Sequence, residues 1–557
     1  MFTMDSLVFL AIAVAILFAA VQRGGDGART MSERTHRVIC GAAIAAGVLV
    51  RLARLTSLPA GISAEEALVG VQAKALWQTG GFLFGQGLTT QLSQWAGETT
   101  GPLLAVLTAP FVGLFGMSKL TVRLPLALLS CAAMPAAYGL GEALSGRRAA
   151  RWMLTIAALC PIFVLEARMT CGSCAALYLL PIALCLIARG VTKPAALYPG
   201  MIVLALTAYA QDMYFFIAPA AILACAIIAL IFGRRKRHAA IAGAIGLLLC
   251  VPAMLTAFVN LTGAEGMTLL GLIRVPRLEG FEKAFMAENR SVGDKLWAVL
   301  IGGVFQVLRH ENIHQAMYTP DGMLALFMFS LPLMVLGALA LFARWTDGRR
   351  VAREKAAARA MVAATCAVTL AALVMFGSIG TLDMSGTTGL FDHSALILFD
   401  AVLMTAGLCT IERKNLKCAA AMVALMAVNF AWLAVQLFGG SYQANANVYF
   451  PGFEQMAARA AEIQAETGEK INVTGNIYPH IQPSDGAEMM FLYATDADMR
   501  TAEAERGTRY ETIYVSEDMQ PEADEIYLAR ANEISNWDLE GFDYEESEGY
   551  VLIYPAR

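Results

Sequence analysis

Apolar residues in this chain gather into long runs separated by short polar stretches. Runs lie at about 6–21, 38–53, 122–141, 149–165, 172–188, 195–210, 214–232, 238–258, 324–343, 359–378, 393–409 and 418–437. Each approaches the ~20 residues that a helix needs to cross a bilayer, where lipid offers the backbone no hydrogen-bond partners. The pattern therefore predicts an α-helical polytopic membrane protein with about twelve transmembrane helices. After residue 439 the long runs stop and shorter periodic segments take over. "FEQMAARAAEIQAE" reads as helix, "INVTG" as strand, "AEMMFLYA" as helix, "ETIYVS" as extended, "PEADEIYLARA" as helix and "YVLIYP" as strand. This alternation predicts a small α/β domain with a partly parallel sheet.

Composition sharpens that reading. The chain is 57% hydrophobic and only 15% charged, with a mean hydropathy of +0.57, whereas soluble domains run at roughly 45–50% apolar and 25% charged residues. From residue 439 onward there are 7 Lys and Arg against 23 Asp and Glu, while the preceding body holds 34 against 22. The acidic tail excludes a nucleic-acid partner, which requires a basic face. Of the 34 basic residues in the body, 22 lie in one alternating set of short loops, such as "GRRAAR", "GRRKRH" and "ARWTDGRRVAREKAAAR". Basic loops stay in the cytoplasm. Long loops at 54–121 and 259–323 and the C-terminal segment then face outward. The predicted organisation is an N-terminal helix and cytoplasmic loop at 1–37, a transmembrane domain at 38–438 and an extracytoplasmic α/β domain at 439–557. The expected location is the plasma membrane, with many passes. The flank "MFTMD" lacks the basic residues of a signal peptide, so the first helix is expected to be retained. The run "GPLLAVLTAPFVGLFGMS" at 101–118 is apolar enough to span, but a crossing there would invert every later basic loop. It is expected to lie flat at the outer interface, and Pro102 and Pro110 suit a broken segment.

Candidate chemistry gathers in the outer loops. Glu65 and Glu66 open a helical pattern about a dozen residues after a span ends; Ser63 is placed to cap it, and acids in a first turn suit the helix dipole. Glu166 and Arg168 end a span in "LEARMT". Arg168 is placed to reach a lipid phosphate. Arg274 and Arg277 in "LIRVPRLEG" either snorkel to headgroups or grip a carrier phosphate. Asp212 sits at an outer turn. His310 and His314 stand four residues apart but lack a third ligand, and Cys171 and Cys174 form a lone C-x-x-C, so no metal is expected. The 11 cysteines all precede the tail and read as buried thiols. Asn260 and Asn472 begin N-x-S/T sequons on the outer side.

An outer acidic pair after an early span, a "GP…L…LFG-x-S" stretch and then "RLPLALLS" form an ordered succession. With "GRRAAR", "CPIFVLEARMT", "ALTAYAQDMYFFIAPA" and "YTPDGMLALFMFSLPLMVLGAL", it resembles the GT-C fold membrane glycosyltransferases that use polyprenyl-phosphate sugars. The nearest patterns are the protein O-mannosyltransferases, the aminoarabinose lipid A transferases and related bacterial family 39 enzymes. The likeness spans most of residues 40 to 440, and the tail resembles their soluble outer domain. It implies transfer of a sugar from a polyprenyl-phosphate donor to an extracytoplasmic acceptor, with inversion and without a cofactor. In the family the first acid of the pair is the catalytic base, which places that role on Glu65. Glu66 then positions it, Glu166 is a further acid, and Arg168 with Arg274 or Arg277 holds the donor phosphate. Asp212 and His393 become acceptor or sugar contacts. Gly172 and Cys174 depart from the family's polar residues beyond the arginine, and the late span "FDHSALILFDAV" offers only His393 and Asp400. The rival readings are a lipid or oligosaccharide flippase, which predicts repeated halves, and an inactive scaffold of the same fold. Neither the sugar nor the acceptor is encoded in these motifs.

Overall fold

The computed structural model describes residues 4–22, 31–83, 85–93, 99–171, 174–278, 291–299, 323–346, 352–376, 393–439, 449–476, 485–516 and 519–556. The first helices are α1 (Met4–Gln22), α2 (Glu33–Leu52), α3 (Ala64–Thr79), α4 (Leu103–Phe115), α5 (Lys119–Ser145) and α6 (Arg147–Leu159). They continue with α7 (Pro161–Leu165), α8 (Ala175–Gly190), α9 (Leu197–Leu206), α10 (Tyr214–Phe232) and α11 (Lys236–Thr262). Later apolar helices cover Ser330–Thr346, Arg353–Phe376, Ser394–Lys414 and Leu416–Phe438. Every one of the twelve apolar runs thus carries helix. Seven of these helices are long and apolar enough to cross a membrane: α2, α5, α10, α11 and the segments Arg353–Phe376, Ser394–Lys414 and Leu416–Phe438. The chain is an integral membrane protein.

Local sequence explains where helices begin and break. Ser118 and Thr121 form a reciprocal capping box at the start of α5, and Ser63 and Glu66 form another at the start of α3, each satisfying N–H groups that the helix leaves unpaired. The run 149–165 is split because Pro161 holds Cys160 extended, at φ −70° and ψ 134°; proline has no N–H to give and disfavours helical geometry in the residue before it. α4 has 13 residues, about 20 Å of helix, which falls short of a ~30 Å hydrocarbon core. It packs lengthwise on α3.

The long outer loops are partly ordered as strand. β1 (Leu88–Thr89), β5 (Ile273–Val275) and β4 (Met267–Leu269) form a small sheet in the order β1-β5-β4, joining the two loops. β2 (Leu92–Ser93) pairs with β3 (Thr99–Thr100) beside it.

The C-terminal domain is a five-stranded sheet built from β6 (Lys470–Thr474), β7 (Tyr510–Ile513), β8 (Glu525–Arg530), β9 (Phe542–Ser547) and β10 (Tyr550–Pro555), in the order β7-β6-β8-β10-β9. β7, β6 and β8 run parallel, and β10 is antiparallel to both β8 and β9. The helices Pro451–Thr467 and Asp485–Ala494 contribute to the same core as the sheet. One expectation fails here: the stretch expected as helix in "PEADEIYLARA" is strand β8. Its central residues Ile526, Tyr527, Leu528 and Ala529 are all buried, as in a strand covered on both faces. The acids before it resemble a helix start, and burial between β6 and β10 overrides them.

Two hydrophobic cores meet at α3. One fills the helix bundle. The other is shared: Ile62, Ala67, Leu68 and Val71 of the α3 region pack in one cluster with Phe453, Met456, Met490 and Tyr493 of the C-terminal domain. The joint is close, since a Cβ on Gly61 would fall 2.6 Å from the backbone nitrogen of Pro451. Around this core, Lys74 pairs with Asp496 at 2.6 Å and Lys119 with Glu454 at 2.7 Å.

Candidate active site

The segment between α2 and α3 is wound around two buried arginines. Arg123, on the first turns of α5, gives NH1 to the carbonyls of Leu55 and Pro59 at 3.1 and 3.0 Å, and NH2 to Gly61 at 2.8 Å. Its Nε and NH2 then fork onto Glu66 Oε1 and Oε2, both at 2.8 Å. All five guanidinium donors are used, which is what permits so large a cation to be buried. Arg168, in the turn after α7, gives NH1 to the carbonyls of Val50, Arg51 and Ala53 at 2.5, 3.2 and 2.9 Å. Its NH2 reaches Arg54 and Leu58 at 3.4 and 3.0 Å. Below them Arg51 bonds the carbonyls of Gly47, Ala157, Ala158 and Phe163 at 2.7–3.0 Å. These carbonyls come from the ends of α2 and α6 and from the short α7. Helix ends leave carbonyls unpaired, and here guanidiniums supply the partners.

This framework divides the acidic pair. Glu66 is 1% exposed. Besides the fork to Arg123, it accepts from the backbone N–H of Ser63 at 3.4 Å and of Thr170 at 3.2 Å. Its lone pairs are committed to holding α3, α5 and the 166–171 turn together. Glu65 is also buried, at 6% exposed. Burial pushes the Cys171 thiol up to about 11, and the nearby charges of Glu65 and Glu166 add to the rise. The Cys174 thiol donates to Glu166 Oε2 at 3.8 Å. The structure thus brings Glu65, Glu66, Glu166 and Cys171 into one neighbourhood, at the end of α3 that shares a core with the C-terminal domain.

The remaining expected site residues lie in several places. Arg168 lines this neighbourhood, but its terminal nitrogens hold backbone rather than facing outward, because the turn it organises has carbonyls to satisfy. Arg274 is exposed on β5 and gives NH1 to Gly85 O at 3.1 Å, and Arg277 is exposed just beyond it. Asp212 is half-buried at the turn before α10, where its carbonyl accepts from Phe215 N at 3.0 Å. His393 is fully buried as the residue preceding the helix Ser394–Lys414. Neither sequon is available to modification: Asn260 and Asn472 are 6% and 3% exposed. Asn260 donates to Thr256 O and Pro276 O, and Asn472 to Glu525. His310 and His314 lie outside the described residues. Among the described residues no group of three His, Cys, Asp or Glu is placed to hold a metal.

Reading the sequence alone missed three features. Arg51 and Arg123 carry the framework; an arginine at the edge of an apolar run is their only signal. Gln91 is 2% exposed and neither atom of its side-chain amide has a partner among the described residues. It stands beside Leu92, which pairs with Thr100, whose hydroxyl is also buried and unpartnered. Polar groups buried in this way are costly.

No protein-family model matches the chain, and no curated protein does. Among solved structures, the chain is similar to ArnT from Cupriavidus metallidurans bound to undecaprenyl phosphate, at 11% identity and a TM-score of 0.49, covering 94% of this chain and 98% of that one. It is also similar to the Archaeoglobus fulgidus oligosaccharyltransferase in the apo form, at 12% identity and a TM-score of 0.47, covering 87% of this chain and 65% of that one. A third similarity is to the archaeal oligosaccharyltransferase AglB from Archaeoglobus fulgidus in complex with an inhibitory peptide and a dolichol-phosphate, at 11% identity and a TM-score of 0.44, over 83% of this chain and 63% of that one.

Proposed function

We propose that this protein is a membrane glycosyltransferase that moves a sugar from a polyprenyl-phosphate carrier to an acceptor outside the cytoplasm, with inversion at the anomeric carbon. The observation that carries the reading is the division of labour in the acidic pair. Glu66 is tied to Arg123 by a two-pronged ion pair, and Glu65, one residue away, is buried near enough to Cys171 to act on its thiol, as Glu166 does. An acceptor hydroxyl is a weak nucleophile until a base takes its proton as it attacks. Glu65 is that base. Glu66 fixes the first turn of α3 and so aims Glu65, and Glu166 is the nearest second acid. The leaving phosphate requires a cation. With Arg168 committed to carbonyls, that role falls to Arg274 on the outer sheet or to Arg277 just beyond it. The apolar tail of the donor stays in the bilayer throughout.

The test is Glu65→Gln, assayed with lipid-linked sugar donors. Gln preserves volume and a hydrogen-bond acceptor but takes no proton, so transfer is expected to fall by about 10²–10⁴-fold, while the thermal midpoint and donor binding stay close to wild type. A Glu65→Gln protein with unchanged turnover would move the base to Glu166. Wild-type protein inactive with every lipid-linked donor would instead favour a non-catalytic scaffold.

A further inference from the structure

The turn between α5 and α6 lies at the far end of the bundle from Glu65. α5 starts at Lys119, beside Glu454 of the C-terminal domain, and runs for 27 residues, about 40 Å at 1.5 Å per residue. Against its last turn is a cavity of about 200 Å³. Three guanidiniums line it, from Arg148 on α6, Arg359 on the helix Arg353–Phe376 and Arg413 near the end of Ser394–Lys414; Leu341, Phe399 and Val402 supply an apolar wall.

Glu412 is 1% exposed and accepts an ion pair from Arg151 on Oε2. Arg148 Nε lies 3.3 Å from its Oε1, and Trp152 Nε1 donates to Oε2 at 2.8 Å. One carboxylate is thus shared by two arginines. Arg359 gives Nε to Leu144 O at 3.1 Å and NH2 to Ser145 Oγ at 3.3 Å. Among the described residues no carboxylate lies within ion-pair distance of Arg359, and the charge of Arg413 is near enough to repel it. Guanidiniums that converge on one cavity match the oxygens of a phosphate.

We infer that this cavity binds the phosphate headgroup of an anionic phospholipid from the leaflet opposite the C-terminal domain. The phosphate sits among Arg148, Arg359 and Arg413, and the first methylenes of the acyl chain lie on Leu341, Phe399 and Val402. A free phosphate offers the same oxygens, but the apolar wall has no use for it. Ala363 on the lining is exposed, so the cavity opens where a lipid can enter. Basic pockets between spanning helices on the cytoplasmic side are suited to such headgroups, and the charge pattern of the loops assigns this end to the cytoplasm. The inference does not depend on the proposed transferase activity, since it concerns the opposite end of the bundle.

Native mass spectrometry of the full chain in neutral detergent tests it, with dioleoyl phosphatidylglycerol, dioleoyl phosphatidylcholine and inorganic phosphate as probes. Phosphatidylglycerol is expected to bind at least about tenfold more tightly than phosphatidylcholine, and excess inorganic phosphate is expected to leave it in place. The double variant Arg359→Gln/Arg413→Gln should lose that preference. Ala363→Trp should lose it too: it fills the opening from an exposed position and leaves every charge intact, so a fold defect in the first variant does not decide the matter. Equal binding of the two lipids overturns the inference, as does undiminished phosphatidylglycerol binding by Ala363→Trp. Displacement by inorganic phosphate overturns the lipid assignment.

Discussion

Glu65 and Glu66 are neighbours in sequence with different chemical fates, and the difference comes from one guanidinium. Arg123 is 57 residues from Glu66 along the chain, so no local pattern in "SAEEALVG" reveals which carboxylate it takes. The sequence announces an acidic pair at a helix start; only the fold shows which member Arg123 holds. Glu66→Gln is therefore expected to act mainly on stability. Both groups of the pair are 1% exposed, and breaking a buried ion pair leaves a charge without compensation at a cost of about 3–5 kcal/mol. A thermal midpoint well below that of Glu65→Gln, measured side by side, is the expected result; equal midpoints would mean that Arg123 finds other partners. Cys171 gives a second prediction at this scale. The thiolate is the reactive form, and with its thiol pushed up to about 11 only about one part in ten thousand is ionised at pH 7. Maleimide labelling of Cys171 in the folded protein should be negligible at neutral pH, rise only as pH approaches 11, and become fast on denaturation. Rapid labelling at pH 7 would place Cys171 outside the buried neighbourhood of Glu65.

Elements were legible where hydrophobic runs were long. All twelve runs carry helix, because an apolar environment leaves the backbone no other way to satisfy itself, and among the described residues seven of these helices are long and apolar enough to cross a membrane. What was not legible is how helices approach one another. A Cβ on Gly337 would fall 1.9 Å from Leu403 O, and one on Gly407 would fall 2.3 Å from Leu333 O. The helices Ser330–Thr346 and Ser394–Lys414 therefore touch backbone to backbone, as small residues allow in membranes. Gly407→Leu is expected to force them apart and lower the thermal midpoint by several degrees, roughly the effect of 1–3 kcal/mol of overpacking. An unchanged midpoint would show that the crossing tolerates separation. β8 was misread for the opposite reason: its six residues carry a helix-like acidic preamble, and the strand identity comes from parallel pairing with β6, more than fifty residues earlier in the chain.

At the scale of the whole molecule, charge placement predicts orientation. A reporter active only outside the cytoplasm should work when fused after Gly439 and fail when fused after Arg235, because the basic loops hold 22 of the body's 34 positive charges. Activity at both positions, or at neither, would end this topology and the placement of Glu65 with it. The alternation of short periodic segments after residue 439 predicted a small α/β unit, and a five-stranded sheet with helices stands there. It did not foresee that α3 belongs to that domain's core as much as to the bundle, since contacts of such separation leave no periodic trace. The ion pairs at the joint, Lys74–Asp496 and Lys119–Glu454, are partly exposed and contribute little; the shared apolar cluster holds the two parts together.

That shared core has a consequence in time. Ala67, Leu68 and Val71 leave the ribosome long before Phe453 and Met456, the residues that cover them. Synthesis adds about 5–20 residues per second, so the part of α3 that α4 and α5 leave uncovered waits on the order of half a minute while the helices between are made. The packing of α3 is consequently among the last parts of the molecule to be completed, and a chain released early would carry the helices of the bundle and still leave α3 without its cover.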